Sequence, residues 1–188
     1  MEIDSKSLEG ALVILGQLLA DRGHYYEVVA IGGGSLLLLR LIERTTKDLD
    51  VVALLKNGQL TSADPLPAPL VQAARDVGNI LELGQDWLNI GPSSLLEGGL
   101  PKGFLKRVHT YHYKGLIVHL ADRFDQICFK LYASVDQGPQ SKHFADLKTL
   151  KPSSKELEQA KSWCATHDVS ETFAVELNKA LEAFDGSH

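Results

Sequence analysis

The sequence predicts an α/β (α+β) protein in which a sheet-bearing core is followed by a helical C-terminal portion. Two observations favour this fold class. Apolar, β-branched runs typical of strands are separated by runs with helical spacing, and from residue 122 onward only helical patterns remain. A chain of 188 residues is long enough for one well-filled core. We therefore expect residues 1–121 to form the core and residues 122–188 to pack on it as one compact unit.

The N-terminal elements alternate between helix and strand. Apolar residues at helical spacing predict a helix over 7–22, which Gly23 ends. The apolar run 26–31 reads as a strand, the Leu-rich run 34–43 as a helix, and 48–55 as a second strand. Two strands joined by a helix predict a βαβ unit with parallel strands.

The middle of the chain contains a loop, a helix and a hairpin. Three prolines at alternate positions make 61–69 loop-like, and 70–80 returns to helical spacing, whereas 81–92 is hard to assign. Alternating residues over 106–113, followed by 116–120, predict a β-hairpin.

Helices alone are predicted in the C-terminal portion. Ser153 and Ser170 suit the N-cap position, and Ser153 with Glu156 fits a capping box. The expected helices are 122–135, 142–150, 153–167 and 170–184.

A glycine-rich turn joins the first strand to the second helix. Gly33 and Gly34 lack the Cβ atoms that would block a phosphate, and a helix N-terminus offers unpaired amides and the positive end of the helix dipole. Ser35 is suited to cap the helix or to bind the anion. Gly33, Gly34 and Ser35 are therefore the candidate phosphate-binding residues.

Two carboxylates stand at the start of the second predicted strand. Asp48 and Asp50 share one face of that strand, while Leu49 and Val51 point into a core. Like charges on one face repel, and Mg²⁺ is a natural compensation because proteins hold it with one or two carboxylates plus substrate phosphates. The alternative is a strand end with two solvated aspartates.

A glycine-serine turn followed by Asp-x-Asp on the next strand resembles the signature of the DNA polymerase β-type nucleotidyltransferase superfamily. Over about residues 26–150 the chain is similar to small bacterial nucleotidyltransferase-like proteins related to abortive-infection toxins of toxin–antitoxin pairs. The resemblance implies a minimal nucleotidyltransferase core, a short mixed sheet flanked by helices. It also implies Mg²⁺ or Mn²⁺ on Asp48 and Asp50, and transfer of a nucleoside monophosphate from a nucleoside triphosphate to a hydroxyl acceptor.

The resemblance further implies a third catalytic carboxylate on a strand beside the Asp-x-Asp strand. Asp122, which closes the predicted hairpin, is the preferred candidate, with Asp86 and Glu82 as alternatives. Asp122 equally fits the N-cap of the following helix.

Basic residues complete the implied site. Lys130 would place a fixed positive charge beside the triphosphate, and Asp146 would orient Lys130 or a neighbouring basic side chain through a charge-assisted hydrogen bond. The alternative is that both are solvated charges on amphipathic helices. Lys47 is a further candidate for phosphate binding, whereas Arg44 is explained by the C-terminus of the preceding helix, which favours basic residues.

Composition limits the partners. The net charge of −5 argues against a general affinity for nucleic acid, although residues 102–114 form a local basic and aromatic cluster. That cluster suits a polyanionic acceptor or, equally, the solvated face of a hairpin. Without a signal-peptide pattern or a long apolar run, a cytoplasmic protein with no membrane contact is expected.

Three functions therefore stay open. The first is an enzyme whose acceptor is a transfer RNA, a protein or a small molecule, with an antitoxin protein as its partner if the chain belongs to a toxin–antitoxin pair. The second is a catalytically degenerate nucleotide-binding or regulatory module. The third is a purely structural or partner-binding protein, such as an antitoxin partner or an oligomer subunit, in which the motif is a relic.

Overall fold

The computed structural model describes residues 2–186, in which helices and strands are interspersed before a run of four helices. In chain order the elements are α1 (Ser5–Asp21), β1 (Tyr26–Ile31), α2 (Gly32–Leu38), β2 (Leu49–Lys56), β3 (Gln59–Ser62), α3 (Ala68–Ile80), β4 (Leu88–Asn89), α4 (Leu95–Gly98), a 3₁₀ turn (Phe104–Lys106), β5 (His109–Tyr113), β6 (Leu116–Leu120), α5 (Arg123–Gln137), α6 (Lys142–Thr149), α7 (Ser154–His167) and α8 (Glu171–Asp185).

The chain divides into two units. The first comprises the described part of Met1–Glu97 with Leu105–Ala121, and the second comprises Gly98–Phe104 with the described part of Asp122–His188. The break after Ala121 coincides with the boundary expected from the sequence, but the segment Gly98–Phe104 belongs to the second unit. That the two portions form one compact unit stays a prediction.

The first unit is built on one mixed sheet, which confirms the α+β fold class. Its strand order is β3-β2-β1-β6-β5, with β4 paired to the start of β2. Strands β1 and β6 are parallel, as are β2 and β4, whereas β1–β2, β2–β3 and β5–β6 are antiparallel. The hairpin predicted between residues 106 and 120 is present as β5 and β6.

The predicted parallel βαβ unit is wrong, because β1 and β2 run antiparallel. Helix α2 has only seven residues and therefore rises about 10 Å, whereas the six residues of β1 extend for roughly 20 Å. A helix of that length cannot carry the chain back to the start of β1, as a parallel crossover requires. Strand β2 consequently begins at the sheet edge where β1 ends.

Helix α2 also lies earlier in the chain and is shorter than the predicted 34–43. The chain leaves it through Arg40, whose φ of 58° is left-handed, with hydrogen bonds from Arg40 N to Leu37 O and from Leu41 N to Leu36 O. This is the bonding pattern of a Schellman C-cap, which usually has glycine at the left-handed position. Because arginine stands there, the sequence gives no stop signal.

One face of the sheet packs against α1 and α3. Leu8, Leu12 and Leu15 of α1 are fully buried, in agreement with the predicted helical spacing, and pack in one cluster with Val28 and Val51 of the strands. Strand alternation places Asp50 on the opposite face.

A β-bulge interrupts the pairing of β1 with β2. Val29 is opposite Ala53, whereas the next residue, Ala30, is opposite Val51. Val52 is therefore the extra residue on β2, and the alternation of that strand changes phase there.

His119 is buried on the same face as Asp50. Its Nε2 lies 3.0 Å from Glu27 Oε2 and its Nδ1 lies 2.9 Å from Thr110 Oγ1. Both ring nitrogens thus have a partner, which makes burial of this polar ring tolerable.

The second unit contains the four predicted C-terminal helices, each within two residues of its expected bounds. The predicted caps are confirmed: Ser153 and Glu156 form a capping box, and Ser170 accepts a hydrogen bond from Phe173 N. None of the helices over residues 2–186 has the length and apolar character needed to cross a membrane.

Two glycines of α1 provide a test of its packing. A Cβ atom at Gly16 would overlap the carbonyl oxygen of Tyr113, whereas one at Gly10 would meet nothing within 4 Å. We expect Gly16→Ala to lower the free energy of unfolding by about 2 kcal/mol or more, because β5 must move away. Gly10→Ala should raise it by about 0.5–1 kcal/mol through helix propensity. Urea denaturation of both variants measures the difference, and equal effects would contradict the packing.

The cap of α7 gives a prediction on pH. Burial alone raises the pKa of Glu156, but hydrogen bonds from Ser153 and Arg123 outweigh it, so the pKa lies below its ordinary value. The associated stability is complete above the unfolded pKa of about 4.3 and is lost as the pH falls through the folded value. Thermal unfolding between pH 7 and pH 3 should show a smaller loss for Glu156→Gln than for the wild type. Glu158→Gln, an exposed control on the same helix, should retain the wild-type loss.

Candidate functional site

The glycine turn and the first carboxylate of β2 lie side by side. Ile31, the last residue of β1, is the register partner of Asp50. Gly32 follows with a φ of +78°, and a Cβ atom there would collide with Asp50 Oδ2. The carboxylate therefore lies directly against the backbone at the start of α2. The positive φ favours glycine here, and a side chain at this position would also displace the Asp50 carboxylate.

Asp48 lies immediately before β2 and is half-buried, as is Asp50. The intervening Leu49 and the following Val51 are fully buried in the core cluster, as predicted. Half-buried and buried residues therefore alternate over 48–51 as predicted, but β2 begins at Leu49, so Asp48 lies outside the strand that was expected to start with it.

Gly33 and Gly34 have a packing role that the sequence does not reveal. A Cβ atom at Gly33 would lie 3.1 Å from Thr46 Oγ1 and 3.2 Å from the Arg44 guanidinium, and one at Gly34 would lie 2.6 Å from the main-chain oxygen of Asp48. Both glycines are buried, so the space expected for a phosphate is bordered by the protein's own returning chain. Contact between their amides and a phosphate stays a prediction.

Ser35 is not the helix cap that the sequence suggested. Helix α2 starts at Gly32, and its N-cap residue Ile31 makes no side-chain capping bond. Ser35 thus lies inside the helix, where it is 0% exposed, and its hydroxyl has no hydrogen-bond partner among the described residues. An enclosed hydroxyl of this kind costs free energy unless a group from outside the chain satisfies it.

Two basic residues flank the carboxylates. The Arg44 guanidinium lies over Gly33 and donates from Nη1 to Thr45 O at 2.9 Å. Since α2 ends at Leu38, the helix C-terminus does not explain Arg44, contrary to expectation. Lys47 is exposed in the turn before β2, where its ammonium group is accessible to an anion.

The strand partners of Asp50 supply no third carboxylate. Its register partners are Ile31 on β1 and Asn89 on β4. Among residues 2–186, no group of three or more His, Cys, Asp or Glu side chains is arranged to hold a metal. The alternatives Glu82 and Asp86 are exposed in the loop before β4.

Asp122 follows a strand that is not beside β2. Strand β6 is separated from β2 by β1, which corrects the expected adjacency. The Asp122 carboxylate caps α5 by accepting a hydrogen bond from Phe124 N at 2.9 Å, which is the alternative reading of this residue. A catalytic role for Asp122 stays a prediction.

Asn89 was missed by the sequence analysis. It belongs to the two-residue strand β4, paired in parallel with β2, and its side-chain oxygen accepts a hydrogen bond from Gly91 N at 2.8 Å. The only sequence signal for Asn89 was its position as a polar residue after the buried pair Trp87-Leu88. The segment is too short for hydrophobic periodicity to predict a strand there.

In the second unit, Lys130 and Asp146 form the contact expected of them. Lys130 Nζ lies 2.8 Å from Asp146 Oδ2, and the two side chains are 3% and 2% exposed. They are therefore not solvated surface charges. The same burial encloses Lys130 with its counter-ion, so its proposed contact with a triphosphate stays a prediction.

Comparisons with protein-family models, with curated proteins and with solved structures found no match.

The unpartnered hydroxyl of Ser35 gives a prediction on stability. Because Ser35→Ala removes an unsatisfied polar group from a helix, we expect the free energy of unfolding to rise by about 1 kcal/mol. Ser134→Ala is the matched control, since the buried Ser134 hydroxyl donates to Lys130 O at 2.6 Å and its removal should lower stability. Urea denaturation distinguishes the two. A loss of stability in Ser35→Ala would show that this hydroxyl is satisfied within the folded chain.

Proposed function

We propose that the chain is a Mg²⁺- or Mn²⁺-dependent nucleotidyltransferase, which moves a nucleoside monophosphate from a nucleoside triphosphate to a hydroxyl acceptor. The observation that carries this proposal is the contact between the Asp50 carboxylate and Gly32. It brings the glycine turn and the Asp-x-Asp pair to one sheet edge, as a site for a metal and phosphates requires. The resemblance to polymerase β-type nucleotidyltransferases supports the reaction class.

The donor set fits a hard cation. Asp48 and Asp50 offer carboxylate oxygens and are partly accessible, and Mg²⁺ is commonly held by two such groups together with substrate phosphates. When bound, the metal would neutralise the departing pyrophosphate and lower the pKa of the acceptor hydroxyl.

A side chain and main-chain amides of the protein would position the nucleotide. Lys47 is exposed beside the carboxylates and can pair with a phosphate oxygen. The amides of Gly33 and Gly34 lie in the first turn of α2 and are proposed as phosphate donors. We propose the acceptor only as a class, which is a transfer RNA, a protein or a small molecule. An antitoxin protein is proposed as the partner.

A second candidate function is favoured by the neighbours of Asp50. Ile31 and Asn89 occupy the adjacent register positions, and an amide cannot serve as a general base. A site with two carboxylates is suited to bind a metal-nucleotide complex without turning it over. In that case the chain is a nucleotide-binding or regulatory module.

A direct experiment combines binding with transfer. The wild type and an Asp48→Asn, Asp50→Asn variant are incubated with each of the four α-³²P nucleoside triphosphates, Mg²⁺ and a cell extract, and label in RNA, protein and small molecules is counted. We expect the variant to lose transfer by about a hundredfold or more, because the two carboxylates that would hold the charge-neutralising metal are gone. Asp21→Asn, Asp136→Asn is a control with the same change in net charge at two exposed positions.

Thermal unfolding separates the two candidates. Nucleotide with Mg²⁺ should raise the melting temperature of the wild type but not of the Asp48→Asn, Asp50→Asn variant. Stabilisation without transfer of label establishes the binding module instead of the enzyme. Transfer that is unchanged in the variant, with its fold verified by circular dichroism, overturns the proposed site.

A further inference from the structure

Strand β5 forms one end of the sheet. It pairs with β6 on one side, and within residues 2–186 no strand pairs with its other side. His109, Thr110 and His112 of this strand are exposed. An end strand offers backbone donors and acceptors to which another extended chain can pair.

The strand lies in a stretch of one charge sign. Between Gly98 and Ala121 the sequence contains no Asp or Glu, although the whole chain has a net charge of −5. Two exposed lysines, Lys106 and Lys114, stand near the two ends of β5, and Arg107 adds a third positive charge. Pairing of β5 with β5 of a second copy would bring these like charges together, which is destabilising across strands.

The aromatic residues of β5 do not form a stacking surface. Tyr111 and Tyr113 are opposite Val118 and Leu116 and pack partly buried against the core cluster. Burial, with smaller contributions from Glu9 and Tyr111, raises the pKa of Tyr113 to about 12. Single-stranded nucleic acid is recognised largely through bases stacked on exposed aromatic rings, so this arrangement disfavours that ligand.

We infer that β5 is a docking edge for an acidic, extended segment of a partner protein. The segment adds a strand beside β5 through main-chain hydrogen bonds. Its carboxylates pair with Lys106 and with Lys114, whose ammonium group also donates to Gln17 Oε1 and has further protons to donate. Main-chain pairing supplies affinity in recognition of this kind, and charge complementarity supplies specificity. The inference does not depend on the proposed nucleotide site, which lies at the end of β1.

The test uses a capped nine-residue peptide of alternating Glu and Thr, labelled with a fluorophore and titrated with the full-length protein. We expect saturable binding that weakens with salt and that falls by about tenfold or more in Lys106→Glu, Lys114→Glu, since two attractive charges become repulsive. Lys148→Glu, Lys155→Glu changes the net charge equally at exposed positions of α6 and α7 and should leave binding unchanged. Circular dichroism establishes that both variants are folded.

Three further ligands distinguish docking on a strand edge from general electrostatic attraction. The same peptide with N-methyl groups on alternate amides keeps its charge but cannot pair with a strand, so its binding should be lost. Equal binding of the N-methylated peptide, or of a peptide with Lys in place of Glu, would overturn the inference. Tighter binding of an oligothymidylate that displaces the peptide would assign the edge to nucleic acid instead. Absence of binding by the acidic peptide at millimolar concentration would also refute the inference.

Discussion

The length of helix α2 is the constraint on which the rest of the first unit depends. Seven residues carry the chain away from the end of β1 but cannot return it along the sheet, so β2 must start at the edge where β1 ends and run antiparallel. That reversal brings the segment from Arg44 to Asp50 against the glycines of α2. With a longer helix, the carboxylates would lie at the opposite edge, far from the turn with which they are proposed to cooperate.

Much of the fold was predictable because its signals are local. The leucines of α1, the alternation in the β5–β6 hairpin and the serine caps of the C-terminal helices each depend on residues within one element, and each prediction is confirmed. Strand direction is not local, since it is decided by how far α2 extends. The end of α2 was hidden as well, because Arg40 adopts a conformation that sequence patterns associate with glycine.

In the candidate site, too, local features were predictable and features that depend on tertiary structure were not. Alternation along β2 correctly assigned Leu49 and Val51 to the core. The residue types alone marked Asp48 and Asp50 as candidate metal ligands, and that role stays a prediction. The proximity of Asn89 to Asp50 arises from the two-residue strand β4, which no periodicity can reveal. The paired burial of Lys130 and Asp146 likewise requires knowledge of how α6 packs on α5. A buried pair of this kind favours one placement of the two helices, because either charge alone would be costly in the interior.

The bulge at Val52 has a consequence for how the first unit can evolve. Because side chains alternate along a strand, Leu54 and Val51 can face the same core only if one extra residue stands between the two halves of β2. Val52 therefore determines which face of the sheet each preceding residue of β2 occupies. A deletion of one residue there would turn Asp50 towards the core and Val51 towards the opposite face. A deletion in this strand is thus tolerable only when a second insertion or deletion restores the alternation. A substitution, by contrast, leaves the alternation unchanged.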